Sequence, residues 1–318
     1  MPLPNFFIAG APKAGTDLLY YQLAEHPEVY MSPLKEPCYF SAEIRIENFH
    51  PSLRPKAEVA TKSLRQYLDA GAPDRRFGGI VSDMRDYQRL FARVTSEKAI
   101  GEGSVCYLWS KSAAAAIAGV LPHARIILVL MDPAERAFHQ YLKSLSDGTV
   151  THSFARHLEL ALQDMNKPDA QLRPFHPFLA FGLYTEQVRR YVENFPARQL
   201  NISLYEDSVT NHREWFTGLL SFLGVDTKFV PPEVDVPSKP HLPRFPAVSH
   251  ALKLGQIKRI VGAALPSGLK SQLQRLPHRE DALPTLLPED RARLIAYYRK
   301  DILRLEDLIQ RDLSAWLS

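Results

Sequence analysis

Residues Asn5–Asp17 read N-F-F-I-A-G-A-P-K-A-G-T-D. A short apolar run, Phe6–Ala9, stops at Gly10. A turn of small residues follows, Ala11, Pro12 and Ala14, with a single cation, Lys13, inside it. Gly15-Thr16 then opens a helical pattern, Leu18-Leu19-Tyr20-Tyr21-Gln22-Leu23. Strand, glycine-bounded turn and helix start, in that order, build an anion cradle. Small side chains let backbone N–H groups approach an oxyanion, and the helix N-terminus adds its positive dipole.

Outward from this stretch the chain alternates strands and helices. The first helix ends near His26-Pro27, because the residue before proline leaves the α region. Glu28–Met31 is short and extended. Ser32–Phe40 (S-P-L-K-E-P-C-Y-F) sets Lys35 and Glu36 between two prolines. Such a pair cannot lie mid-helix or mid-sheet, so a loop or strand end presents it. Residues 41–80 read as surface helix and loop. Met84–Ala92 has helical spacing, Ala99–Glu102 reads as a buried strand, and Gly103–Leu108 as the loop after it. Lys111–Val120 is an alanine-rich helix closed by Pro122. Arg125–Met131 (R-I-I-L-V-L-M) is the clearest strand, an unbroken run suited to burial on both faces of a parallel sheet. Asp132-Pro133 starts a helix with a good N-cap and a proline at its first position. Helices over Phe154–Gln163 and Tyr184–Asn194, a strand over Gln199–Tyr205, a helix over Trp215–Leu223 and a long amphipathic helix over 288–308 complete the pattern. The expected fold is α/β: one domain over 1–318, a central parallel sheet flanked by helices, with right-handed crossovers.

Composition is that of an ordinary globular chain: 318 residues, 45% hydrophobic and 23% charged. The net charge of +4 suits an anionic ligand without demanding nucleic acid. Cys38 and Cys106 are too few for a disulfide framework and lack metal-ligand spacing, so reduced buried thiols are expected and no metal is signalled. The N-terminus has no basic and apolar leader pattern, and no apolar run approaches a membrane span, so a cytoplasmic location is expected. One composition shift stands out: residues 236–279 hold no acid but contain Lys239, Arg244, Lys253, Lys258, Arg259, Lys270, Arg275 and Arg279. Apolar residues at helical spacing over 250–275 suit a surface helix packed on the domain, a basic flap over an anionic ligand, or a helix lying on anionic lipid.

Gly10–Thr16 has the glycine spacing of a Walker loop, G-x-x-x-x-G-K-[ST], but Thr16 stands where the lysine belongs. The cation is inside the turn, which counts against a nucleotide kinase. The sequence A-G-A-P-K-A-G-T over residues 9–16 resembles the 5′-phosphosulfate loop of sulfotransferases that use 3′-phosphoadenosine 5′-phosphosulfate (PAPS). Later stretches follow the same family in the same order. Residues 35–40 (K-E-P-C-Y-F) resemble the K-E-x-x-F-F segment of its bacterial and heparan-sulfate branch. Residues 101–108 (G-E-G-S-V-C-Y-L) resemble its G-E-x-S-x-x-Y-L loop. Residues 127–141 resemble its 3′-phosphate strand and helix, and 293–316 its C-terminal helix.

The resemblance implies transfer of a sulfuryl group from PAPS to a hydroxyl or amine of a small-molecule, carbohydrate or lipid-linked acceptor. It implies Glu36 as general base and Lys13 on the bridging oxygen and 5′-phosphate. Gly10, Ala11, Pro12, Ala14, Gly15, Thr16 and Asp17 would form the donor loop, and Lys35 would position the donor or hold Glu36 ionised. Such a transfer needs a stabilised leaving charge and a proton acceptor, and no metal.

Three positions depart from the family pattern. Asp17 replaces a second Thr or Ser, and its carboxylate competes with a bound phosphate. Met131 stands where an arginine usually meets the 3′-phosphate. His139 replaces a serine there. Two readings follow. Either the acid-free segment supplies the missing cations through Lys239 or Arg244, or the fold takes another donor or only binds a ligand. The first is favoured because Lys13 and Glu36 both remain.

Overall fold

A computed structural model describes residues 2–48, 54–147, 149–165, 178–234 and 283–318. Its elements, in chain order, are β1 (Phe6–Gly10), α1 (Thr16–Leu23), β2 (Val29–Met31), β3 (Leu34–Lys35), α2 (Arg54–Asp69), β4 (Arg76–Phe77), α3 (Met84–Arg89), β5 (Ala99–Gly103), α4 (Cys106–Trp109), α5 (Ala113–Val120), β6 (Arg125–Leu130), α6 (Pro133–Ser146), α7 (Phe154–Met165), α8 (Tyr184–Asn194), β7 (Leu200–Leu204), α9 (Tyr205–Thr210), α10 (His212–Leu223) and α11 (Pro288–Ile309).

Five strands form one sheet in the order β2-β5-β1-β6-β7, every pair parallel. The apolar runs explain the centre of this order. All five residues of β1 are buried, as are Ile126–Leu130 of β6, so these strands take the inner positions. Helices cover the sheet, with α11 packed on α6 and α8, and α5 also against α8. Phe6, Phe7, Tyr20, Tyr107 and Tyr191 are fully enclosed. Burial of each such ring contributes about 1.5–3 kcal/mol.

Strand order reverses at β1. The chain goes from β1 out to β2, back to β5 on one side, then to β6 and β7 on the other. In parallel sheets ligands bind at the carboxyl ends of strands around such a switch point. The turn after β1 sits there, with the segments that leave β5, β6 and β7.

The expected elements over Phe6–Gly10, 99–102, 125–131, 184–194 and 288–308 form with ends within two residues. Three details differ. The segment 103–108, read as a loop, winds into the helical turn α4 from Cys106. The helix read from Trp215 starts earlier, at His212, because the Asn211 side chain accepts from the Glu214 N–H. Two-residue strands β3 and β4 pair in parallel, Leu34 with Arg76 and Lys35 with Phe77, and fix the Lys35 backbone. The basic segment 236–279, with Lys239 and Arg244, lies outside the described residues.

Candidate active site

The turn after β1 takes the shape that its small residues allow. Gly15 caps α1 in the left-handed region, φ 76°. A Cβ there would stand 3.0 Å from the Tyr205 ring. At Gly10 a Cβ would stand 2.6 Å from Leu108, so only glycine lets α4 close over the turn. Lys13 itself has φ 74°. Its half-buried ammonium makes no ion pair with any described residue. Burial lowers its pKa, opposed by the charge of Asp17 and aided by those of Lys143 and Lys35. Within the turn the Ala11 N–H donates to the Val129 carbonyl and the Ala14 N–H to the Ala11 carbonyl; a partly desolvated cation beside a helix N-terminus is a seat for an anion.

Glu36 stands across from the turn. Its φ is 65°, and Cys38 two residues on has φ 54°. Left-handed backbone at residues with a Cβ costs about 1–2 kcal/mol each. Hydrogen bonds hold it in place: the Glu36 N–H donates to the Gly103 carbonyl at 2.8 Å, and the Cys38 N–H to Ser104 Oγ at 3.1 Å. The side chain is aimed as well, because Val105 N–H donates to Glu36 Oε2 at 2.9 Å. Strain of this kind collects where a side chain must be presented in one direction.

Lys35 links the two halves. Its Nζ lies 2.8 Å from Asp17 Oδ1 and 2.6 Å from Glu36 Oε1, and its side chain is only 3% exposed. The Phe77 ring lies 5.2 Å from that ammonium. Burial works against the charge, and the Glu36 and Asp17 carboxylates overcome it, so the Lys35 pKa is raised. The Asp17 carboxylate, a departure from the family pattern, is tied to Lys35, and through Lys35 to Glu36.

Behind Glu36 lies a polar network. Glu102 is fully buried; Tyr87 and Tyr107 donate to its Oε2 at 2.7 and 3.1 Å, and Ser104 to its Oε1. Burial pushes the Glu102 carboxyl up to about 7 despite these donors, and the Glu36 charge acts in the same direction.

Beside the turn, Met131 and His139 line a cleft of about 390 Å³ with Glu135, Tyr205, Glu206, Val209 and Thr210. Burial, then the charges of Lys13 and Arg136, lowers the His139 pKa, so its imidazole is neutral near pH 7 and offers a single hydrogen bond. The two carboxylates are engaged: Glu135 pairs with Arg291 at 3.1 Å, and Glu206 accepts from the Asp132 N–H at 3.0 Å. The structure thus brings together Gly10–Asp17, Lys35, Glu36, Met131 and His139. Sequence reasoning missed Tyr205 and Glu206. The available signal was their place directly after the strand that ends at Leu204.

Residues 4–229 match the model of the sulfotransferase family. The chain belongs to the sulfotransferase family. A crystal structure of a sulfotransferase from Alicyclobacillus acidocaldarius is 28% identical, covers all of both chains and superposes with a TM-score of 0.69. Human carbohydrate sulfotransferase 15 is 26% identical over 70% of this chain and 44% of its own length. The bovine bifunctional heparan sulfate N-deacetylase/N-sulfotransferase 2 is 27% identical over 70% of this chain and 22% of its own. The chain thus spans less than half the length of these curated relatives. Among the described residues, no helix is long and apolar enough to cross a membrane.

Proposed function

We propose that this protein moves a sulfuryl group from PAPS to a hydroxyl or amine of a carbohydrate, lipid-linked or other small acceptor. We read it as a cytoplasmic enzyme of the bacterial type. Family membership supports the reaction class, and the named relatives support a glycan acceptor. The observation that carries the reading is the Lys35 bridge, which ties Glu36, aimed by Val105, to Asp17 at the end of the turn that holds Lys13, a cation without an ion-pair partner among the described residues.

In this reading the turn amides and Lys13 hold the 5′-phosphate and steady the charge that grows on the bridging oxygen. Glu36 accepts the acceptor's proton at whichever carboxylate lone pair Lys35 and Val105 leave open. Lys35 holds that carboxylate in place through its 2.6 Å contact with Oε1. PAPS supplies the activated sulfuryl group. The donor set suits the phosphosulfate end, where Lys13 lies in the turn that leads into the N-terminus of α1. At the 3′-phosphate end the described cleft offers neutral His139 and Met131, so Lys239 and Arg244 are the candidates for the missing cations.

Calorimetry with adenosine 3′,5′-bisphosphate tests the donor. Binding by the wild type and by Glu36→Gln, with turnover lost only in the variant, is the expected result. No binding by the wild type would overturn PAPS dependence. A second reading, a donor without a 3′-phosphate, is favoured by the cation-poor cleft. AMP binding as tightly as the bisphosphate would select it.

A further inference from the structure

The chain has two cysteines, 68 positions apart, and the fold brings both to Glu36. Glu36, Cys38 and Cys106 each present a ligand atom, and the three atoms lie within 4.8 Å of one another. We propose that these three side chains form an inhibitory site for a thiophilic divalent cation, zinc in chemical class, which captures the carboxylate that Glu36 would otherwise offer as base.

The geometry needs little adjustment. Two sulfurs on one tetrahedral zinc, at about 2.3 Å each, stand roughly 3.8 Å apart, and a carboxylate oxygen at about 2.0–2.2 Å stands slightly nearer. The backbone already fixes the ligands. Cys38 is locked by its left-handed φ and by its N–H bond to Ser104. Its Sγ–H points at the Glu36 carbonyl, 3.5 Å away. Cys106 opens α4 and follows Val105, the residue whose N–H holds Glu36. All three sites are partly reachable: Cys38 is 7% exposed, Cys106 9%, and the Glu36 side chain 12%. A cation here keeps a fourth position for water.

Charge and softness select the ion. The groups facing the cluster are the Glu36 and Glu102 carboxylates and, on the Oε1 side of Glu36, the Lys35 ammonium. Two thiolates favour zinc or copper(I), and the added carboxylate favours the divalent d¹⁰ ion. Magnesium and calcium prefer oxygen ligands and would not compete. Binding releases two thiol protons to solvent and oxidises nothing.

Inhibition rests on the proposed role of Glu36; metal binding does not. Cobalt(II) titration of the reduced full chain tests binding directly. One equivalent should develop a thiolate-to-cobalt charge-transfer absorption in the near ultraviolet, and zinc should abolish it. The band can come only from these two cysteines. It should vanish in Cys38→Ser and Cys106→Ser, while Glu36→Gln retains it with affinity weakened about tenfold or more. No band in the reduced wild type, or a band that survives Cys106→Ser, overturns the site. Should a serine variant fail to fold, alkylation of the wild-type thiols decides. One equivalent of zinc should slow it about tenfold or more, and an unchanged rate overturns the proposal. A cobalt band without sulfuryl-transfer activity would leave the site standing and remove the enzymatic reading. Activity unaffected by zinc despite a band would overturn the inhibitory role.

Discussion

Replacing Lys35 by methionine should destabilise the fold by about 3 kcal/mol, far more than a surface ion pair is worth. The ammonium has a 3% exposed side chain and bridges Asp17 at 2.8 Å and Glu36 at 2.6 Å. Methionine keeps the apolar stem against Phe77 but removes both charge-assisted bonds. Breaking a buried pair by deleting one partner costs about 3–5 kcal/mol, because a charge is left buried without compensation. Asp17 is 28% exposed and can rehydrate, and Glu36 keeps the Val105 N–H, so the lower end applies. An unfolding entropy of about 2.1 cal/mol/K per residue makes 3 kcal/mol worth roughly 4–5 °C in a chain of 318 residues. The sign with pH follows from the raised Lys35 pKa. Its contribution is fully present below the unfolded value of about 10.4 and is lost only as pH rises through the folded one, so the deficit should be constant over about pH 6–9. Chemical denaturation of wild type, Lys35→Met, Asp17→Asn and the double variant measures it. The cycle should show a coupling of about 1–2 kcal/mol between Asp17 and Lys35. A Lys35→Met loss below about 1 kcal/mol, the range of exposed pairs, would refute the reasoning.

Glu102, with a folded pKa of about 7 against about 4.3 unfolded, stabilises the fold below the unfolded value and loses that contribution as pH rises through 7. Glu102→Gln should therefore gain about 3 kcal/mol relative to wild type between pH 4.5 and pH 8 in denaturant titrations; a constant difference would sink the assignment. His157 has the opposite sign. Burial, aided by His152, lowers it to about 4, so its contribution is present above about 6.5 and lost as pH falls through 4. His157→Gln should move the acid-unfolding midpoint toward lower pH, and an unchanged midpoint would contradict the shift. Gly15→Ala, at φ 76° and 3.0 Å from the Tyr205 ring, should cost about 1–2 kcal/mol in a thermal melt and weaken bisphosphate binding by calorimetry. Lys239→Ala with Arg244→Ala should weaken adenosine 3′,5′-bisphosphate about tenfold or more, the value of one charge-assisted bond, and leave AMP unaffected. Equal loss for both nucleotides would place these cations elsewhere.

The central strands were legible because burial on both faces demands an unbroken apolar run, and Phe6–Ala9 and Arg125–Met131 supply it. The anion turn was legible because strand, small residues and helix start are contiguous. Contacts between distant segments were not. The β3–β4 pair is two residues long and carries no period. Tyr205 reaches the site only because β7 pairs with β6, which brings its end beside Gly15. Cys38 and Cys106 have no ligand spacing along the chain; left-handed backbone at Glu36 and Cys38 and the unread turn α4 make the spacing in space. Asp17 is the sharpest case. In one dimension it is a carboxylate at a phosphate loop, and only its contact with Lys35 turns it into part of the support for Glu36.

That contact also changes the charge balance at the turn. Lys13 and Lys35 contribute two positive charges, and Asp17 and Glu36 return two negative ones, so the described loop is close to neutral before any ligand arrives. A threonine or serine in place of Asp17 would leave one positive charge in hand for the phosphosulfate. With Asp17 present, Lys35 has committed two of its three N–H donors, and among the described residues Lys13 is the loop cation left without an ion pair. Among the described residues the neighbouring cleft is lined by no lysine or arginine, and nearby Arg291 is held by Asp132 and Glu135 at 2.7 and 3.1 Å. A donor carrying phosphate at both ends would then sit in a site with too little positive charge. The acid-free stretch of residues 236–279 holds eight lysines and arginines in the same chain. In the proposed reading that stretch supplies the compensation. Donor affinity should then fall steeply with ionic strength.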